Sequence, residues 1–391
     1  MVSSAAAEPR AILEKMASDI AIMGIANAYS WMTADQVHAF GDALEAGEPF
    51  ATIARSWVCG PDGGGRTGAG LSGTWAWHRL LDGHSAEAVL EGVRDAVSAN
   101  RYEIWDIRPV RGITVAERQT VSADAWLAPP GDIPAGSLRD TAFQFGTPRE
   151  FAQTDTAALI QRVSVAPALE PVDGRRDAMT AIGAAREVRD HVARRLRLAL
   201  GLASGGPVEI AVTYYANPMP ALFSDLGGMS AQPVGAYYGP NHPVDMALVV
   251  DLLDQLDAID APAALELSID RLLRSRLSKS LEDRIIDLGM AAEIALMHEP
   301  AGGGDGKGEI TNKMAARAAW LVGGDTEQRL ATFAQVSELY GARSIVVHSG
   351  LAKSNVHDRL GTFDTLAAAI IKALLARGAF PNWRRLVLGA D

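Results

Sequence analysis

A chain of 391 residues with 48% hydrophobic and 21% charged residues carries enough apolar material for more than one packed core, which excludes a disordered or fibrous class. A formal net charge of −11 excludes the broad positive field of a nonspecific nucleic-acid binder, so any contact with RNA must be local. Cys59 is the single cysteine, which excludes an internal disulfide framework and a cysteine-based zinc site; as a small apolar side chain it is expected in the core of a protein from a reducing compartment.

The amino terminus, MVSSAAAEPRAILEKM, lacks the basic start and apolar run of a secretory signal, and no stretch of about 18 or more apolar residues follows. The expectation is a cytoplasmic protein with no membrane contact. From about Pro9 to Val58, Ile12, Met16, Ile20 and Met23 recur along one face, which predicts two or three helices. A glycine-rich loop, Cys59 to Gly73, leads into the helical TWAWHRLL and AEAVLEGVRDAVSA. Between Tyr102 and Pro129, β-branched and aromatic residues alternate, which predicts two or three strands with turns. The segment DAMTAIGAAREVRDHVARRLRLALGL reads as a long amphipathic helix ended by SGG, and EIAVTYYA after it as a strand.

From about His242 onward the strand texture ends. Apolar residues recur at spacings of three and four through MALVVDLLDQLDAI, LEDRIIDLGMAAEIALM and FDTLAAAIIKALLARG. Gly and Pro cluster in SDLGGMSAQPVGAYYGPNHP, which marks a domain boundary. The expected fold class is therefore α+β, with a mixed α/β domain over 1–235 and an all-helical domain over 240–391.

Few motifs carry chemistry. Gly63, Gly65 and Gly68 of GGGRTG fit a dinucleotide-binding pattern only formally, because no clear strand precedes them and no suitably placed acidic residue follows. GGGDGKGE around Lys307 lacks the Ser or Thr of a phosphate-binding loop, and both stretches read as linkers. The absence of a His-Glu-x-x-His stretch and of a Gly-x-Ser-x-Gly elbow removes zinc hydrolases and the common serine hydrolases. What remains is Arg343 and His348, with four residues between them. Arg79 with His84 and Arg186 with His191 repeat that spacing, so spacing alone does not select a pair.

The flanking text does. The run SLEDRIIDLGMAAEIAL, then GEITNKMAARAAWLVGGDTEQR, then ELYGARSIVVHSG resembles the Apea-like HEPN family in order, spacing and residue character, over about the last third of the chain. The resemblance implies an all-helical bundle in which Arg343 and His348 cut RNA without metal or cofactor, in a homodimer. It further implies a host-defence or toxin-like setting, in which the variable preceding domain senses or restrains, with a protein or phage-derived trigger. Ser344, directly after the Arg, stands where many active members have Asn, Asp or His; it is carried as a supporting position. The resemblance also gives the position of Glu293 a frequent acidic residue.

Asp325 with Gln328 makes a capping box, LATFAQVSELY supplies an apolar face, and Gly350 ends the helix just beyond His348. The histidine then sits in the last turn, where the helix macrodipole favours positive charge. Positions five apart on one regular helix point roughly 140° away from each other, so a composite site across a two-fold axis, or an irregular helix end, is needed. Histidine suits proton transfer near neutrality, and the planar arginine fork suits the phosphate. The products expected are a 2′,3′-cyclic phosphate and a 5′-hydroxyl.

Glu293 appears on a largely apolar helix face beside Gly289, and either orients Arg343 or His348 or forms an ion pair with Arg317. Asp287, near Asp283 and Arg284, reads as part of an exposed charged face. The basic run RLLRSRLSK offers Arg271, Arg274, Arg276 and Lys279 as RNA phosphate contacts, against the ordinary role of solvated helix charge. The alternative function is a helical module that binds RNA, a nucleotide or a protein partner without cleaving.

Overall fold

The amino-terminal residues fold as helices α1 (Pro9–Met23), α2 (Ala34–Glu45) and α3 (Phe50–Ala54), a hairpin of β1 (Ser56–Cys59) and β2 (Gly65–Thr67), and helices α4 (Leu71–Leu81) and α5 (Ala86–Ala99). The structure is a computed structural model that describes residues 8–24, 34–134, 137–144, 156–217, 222–223, 229–231, 241–299 and 310–390. Local chemistry explains the helix ends. The Ser85 side chain accepts from the Ala88 N–H at the start of α5, and Asn100, in the left-handed region at φ 46°, stops it.

The GGGRTG stretch is not a linker. It is the turn and second strand of an antiparallel hairpin, with Val58 opposite Arg66 and Cys59 opposite Gly65. The reason is steric: a Cβ on Gly65 would lie 2.4 Å from the Val58 carbonyl oxygen, and one on Gly68 only 1.8 Å from that of Ile53. These glycines permit close backbone approach, and Cys59 beside them is fully buried, as expected. Burial pushes its thiol up to about 11, with a smaller push from Glu170.

Strands β3 (Tyr102–Val110), β4 (Ile113–Thr114), β5 (Gln119–Ser122) and β6 (Ala125–Ala128) follow, then helix α6 (Ser137–Gln144) and strands β7 (Ala157–Val165) and β8 (Leu169–Pro171). After the long helix α7 (Arg175–Ser204) come β9 (Val212–Ala216), β10 (Met229–Ala231) and the two-residue β11 (His242–Pro243). Among the described residues the main sheet has six strands in the order β10-β9-β3-β7-β6-β5, all antiparallel neighbours. Beyond β11 the described residues are helical: α8 (Met246–Ala258), α9 (Pro262–Leu277), α10 (Leu281–Met297), α11 (Ile310–Val322), α12 (Thr326–Ser349), α13 (Leu360–Arg377) and α14 (Trp383–Val387). The chain is thus α+β, with its sheets in the amino-terminal half and helices in the carboxy-terminal part. The glycine loop at 302–309, and most of the turn-rich stretch 224–243, lie outside the described residues. No helix among the described residues is long and apolar enough to cross a membrane.

One sheet face carries two cores with a charged layer between them. Opposed residues of an antiparallel pair share a face, so Tyr102 with Val165 and Ile104 with Val163 point together into the core built by α1 to α5. Further along the same face, Leu159, Leu127 and Val110 enter the core of the carboxy-terminal helices. Asp106 and Gln161 are opposed between them. Asp106 is fully buried and accepts from Arg108 Nε and Nη2 at 2.9 and 2.8 Å, and from Arg189 Nε at 3.3 Å. Arg189 also donates to the Pro61 carbonyl of the hairpin turn.

Helix α7 repeats this order. Ala178 and Ile182 belong to the amino-terminal core, Arg189 to the charged layer, and Ala193, Leu196 and Leu200 to the carboxy-terminal core. Its packing on α9 is close, since a Cβ on Gly201 would meet Leu273 Cδ2 at 2.3 Å. The apolar core of the carboxy-terminal helices therefore continues without a break onto α7 and one end of the sheet. The opposite sheet face forms a third, smaller core around Ile107, Ile160, Trp126 and Tyr214.

Candidate active site

Arg343 and His348 lie on α12, which runs unbroken from Thr326 to Ser349. Its start carries the expected capping box: the Asp325 side chain accepts from the Gln328 N–H, and the Gln328 side chain accepts from the Asp325 N–H, both at 2.9 Å. Gly350, at φ 75°, closes the far end, and its N–H donates to the Val346 carbonyl. His348 is exposed in the last turn.

Arg343 is held from three directions. Its Nη2 lies 3.1 Å from Glu293 Oε2 on α10, with both side chains about a quarter exposed. Its guanidinium carbon sits 5.4 Å from the centre of the Tyr340 ring. Its aliphatic stem lies on Gly289, where a Cβ would meet Arg343 Cδ at 2.7 Å. The Arg343 Nε is buried without a partner among the described residues. The choice open for Glu293 is resolved in favour of Arg343, because Arg317 turns to Glu299 and to the Leu296 carbonyl.

With no irregularity between them, Arg343 and His348 project about 140° apart around the axis and about 7.5 Å apart along it, so one chain does not bring them to a common point. Between their directions runs a stripe at heptad spacing: Leu330, Phe333, Ser337, Tyr340, Ser344, Val347 and, just past the helix end, Leu351. Leu330, Phe333 and Val347 on the helix and Leu351 just past it are 58%, 36%, 56% and 70% exposed, so large apolar side chains lie uncovered along this side of α12. Ser344 is half-buried on this stripe.

The basic run on α9 does not form one surface. Arg276 is nearly buried, clamps Asp364 of α13 through Nε and Nη2 at 2.8 and 2.7 Å, and donates to the Gly201 carbonyl, so it is structural and not poised for a phosphate. Two positions in a helix turn the side chain about 200°, which separates Arg276 from Arg274. Lys279 is exposed beyond the helix end. Arg271 meets Asp287 at 3.0 Å, and Asp287 is buried against α9 in place of the exposed position expected for it.

Arg271 and Arg274 line a cleft of about 1480 Å³ between α7, α9 and the first turns of α10, with residues 209–211 as its floor. Nothing in the sequence periodicity marked this cleft, because its walls come from segments some 80 positions apart. Glu209 on the floor is locked to Arg111 at 2.8 Å; burial pushes its carboxyl up, and the guanidinium offsets part of that shift. Of the other Arg/His pairs at the same spacing, Arg186 pairs with Asp190, His191 with Arg194, and Arg79 lies 5.9 Å from the Trp75 ring. Comparisons with protein-family models, with curated proteins and with solved structures each found no match.

Proposed function

We propose that the chain is a metal-independent endoribonuclease of the HEPN type, an RNA-cleaving effector of the cytoplasm whose site is completed by a second copy of α12. The observation that carries the reading is the uncovered apolar stripe between Arg343 and His348. A second copy laid antiparallel on it, with the two-fold axis near Ser344, brings His348 of the partner subunit within about one helical turn of Arg343. The apolar stripe is then covered, and the two groups that one chain holds apart face a shared groove.

In that groove the roles divide by chemistry. Cleavage by the ribose 2′-hydroxyl needs a base to take its proton, an acid to protonate the leaving 5′-oxygen, and positive charge at the phosphate as it becomes pentavalent. Histidine serves the proton transfers. Arg343, fixed in direction by Glu293 and Tyr340, serves the developing charge. The products are a 2′,3′-cyclic phosphate and a 5′-hydroxyl.

A second reading is a non-cleaving helical module that binds RNA, a nucleotide or a protein partner; it is favoured by Ser344 after the arginine and by Glu293 already neutralising Arg343. Expression in a microbial host separates them. The nuclease slows growth, and Arg343→Ala or His348→Ala relieves the arrest with the protein still folded; equal growth in all three overturns the nuclease.

A further inference from the structure

The cleft beside α10 is independent of the Arg343 site and holds charged groups that the fold itself does not use. Most of its ions are already paired: Arg197 with Asp270 at 2.8 Å, Arg271 with Asp287 at 3.0 Å, and Arg108 with Asp190 at 2.6 Å. Arg274 is different. It is exposed to the cleft, one turn beyond Arg271 on the same face of α9, and its side chain has no hydrogen bond or ion pair among the described residues. On the other walls Glu187 of α7 and Asp283 of α10 have side chains equally without a partner among the described residues. Leu267, nearly half exposed, lines the same space together with Ile210.

We infer that this cleft binds a small phosphorylated ligand of the nucleoside monophosphate class, with its phosphoryl group on Arg274 and the free edge of Arg271. The fit is chemical. Two guanidinium groups one helical turn apart match the oxygens of a phosphoryl group, and Asp287 holds the nearer of them in place. The unpaired carboxylates accept from N–H groups of a base, and the exposed apolar wall offers its face a dry surface. The volume exceeds that of a typical small-molecule pocket, about 300–1,000 Å³, which leaves room for the ligand and its bridging waters. The seven cleft carboxylates outnumber the five arginines, which selects against a bare anion and for a ligand that also carries donors.

Isothermal titration of the full chain with AMP, GMP, CMP and UMP, and separately with inorganic phosphate and with L-glutamate, tests this. The expected result is saturable binding of at least one nucleotide, weakened about tenfold or more in Arg274→Ala and less in Arg274→Lys. Because the Arg274 side chain has no partner among the described residues, the thermal midpoint without ligand stays at the wild-type value in both variants, so lost binding reports the site and not unfolding. Glu187→Gln or Asp283→Asn shifts the preference among bases. No binding of any nucleotide, equal binding in Arg274→Ala, or equally tight binding of phosphate or glutamate overturns the inference.

Discussion

Removing the Glu293 carboxylate tests whether Arg343 is preset in the single chain. The pair is 3.1 Å long, and its side chains are 23% and 30% exposed. Fully exposed pairs couple by about 0.2–1 kcal/mol, and breaking a buried pair costs about 3–5 kcal/mol. The partly exposed pair is screened by solvent only in part, and the Tyr340 ring 5.4 Å from the guanidinium carbon adds a contact, so a coupling at or just above the top of the exposed range, about 1 to 1.5 kcal/mol, is expected. The assay is a double-mutant cycle by urea unfolding, with Glu293→Ala, Arg343→Ala and the double variant followed by tryptophan fluorescence. Glu293→Ala alone should cost more than the coupling, because Arg343 Nε already lacks a partner among the described residues and a second nitrogen would join it. A coupling below about 0.3 kcal/mol would refute the argument that α10 fixes the arginine.

Asp106→Ala leaves Arg108 and Arg189 facing each other without their shared carboxylate, and should cost about 3–5 kcal/mol in the same unfolding assay; a loss under about 1 kcal/mol would mean the layer is not ionic. Gly68→Ala drives a Cβ into a backbone carbonyl, so the soluble yield or thermal midpoint should fall sharply, whereas Gly83→Ala, with nothing within 4 Å of the new Cβ, is limited to the strain of its φ of 85°. Cys59, buried with its thiol pushed up to about 11, should resist a thiol reagent at pH 8 in the native protein and react fully in urea. Rapid labelling without denaturant would show that the hairpin opens.

What the sequence made legible was local. The helices AEAVLEGVRDAVSA and LEDRIIDLGMAAEIALM match α5 and α10 because Ser85 and Ser280 cap them and their apolar spacing is regular. Strand β7, at the centre of the sheet, gave no alternating signal, since AALIQ is buried on both faces and reads as a plain apolar run. The hairpin glycines read as a linker because a tight approach of two backbones and a flexible loop use the same residue. Sequence neighbours also misled: Asp287 sits among charged residues but faces α9, and Arg276, two positions from Arg274, turns to a different helix. The sequence leaves the partner of Glu293 open among Arg343, His348 and Arg317, a choice that only the packing of α10 on α12 settles.

The central claim, an Arg343/His348 site shared between two copies, is tested most directly by mixing two inactive variants. Arg343→Ala and His348→Ala proteins, each alone, should fail to cut total RNA in the presence of a chelator. Mixed and allowed to exchange subunits, they regain about a quarter of wild-type cleavage, because half the dimers then hold one intact pair across the axis. The ends produced carry 2′,3′-cyclic phosphate. Persistent inactivity of the mixture beside an active wild type would mean that the two groups act within one chain, and an inactive wild type would contradict the nuclease itself.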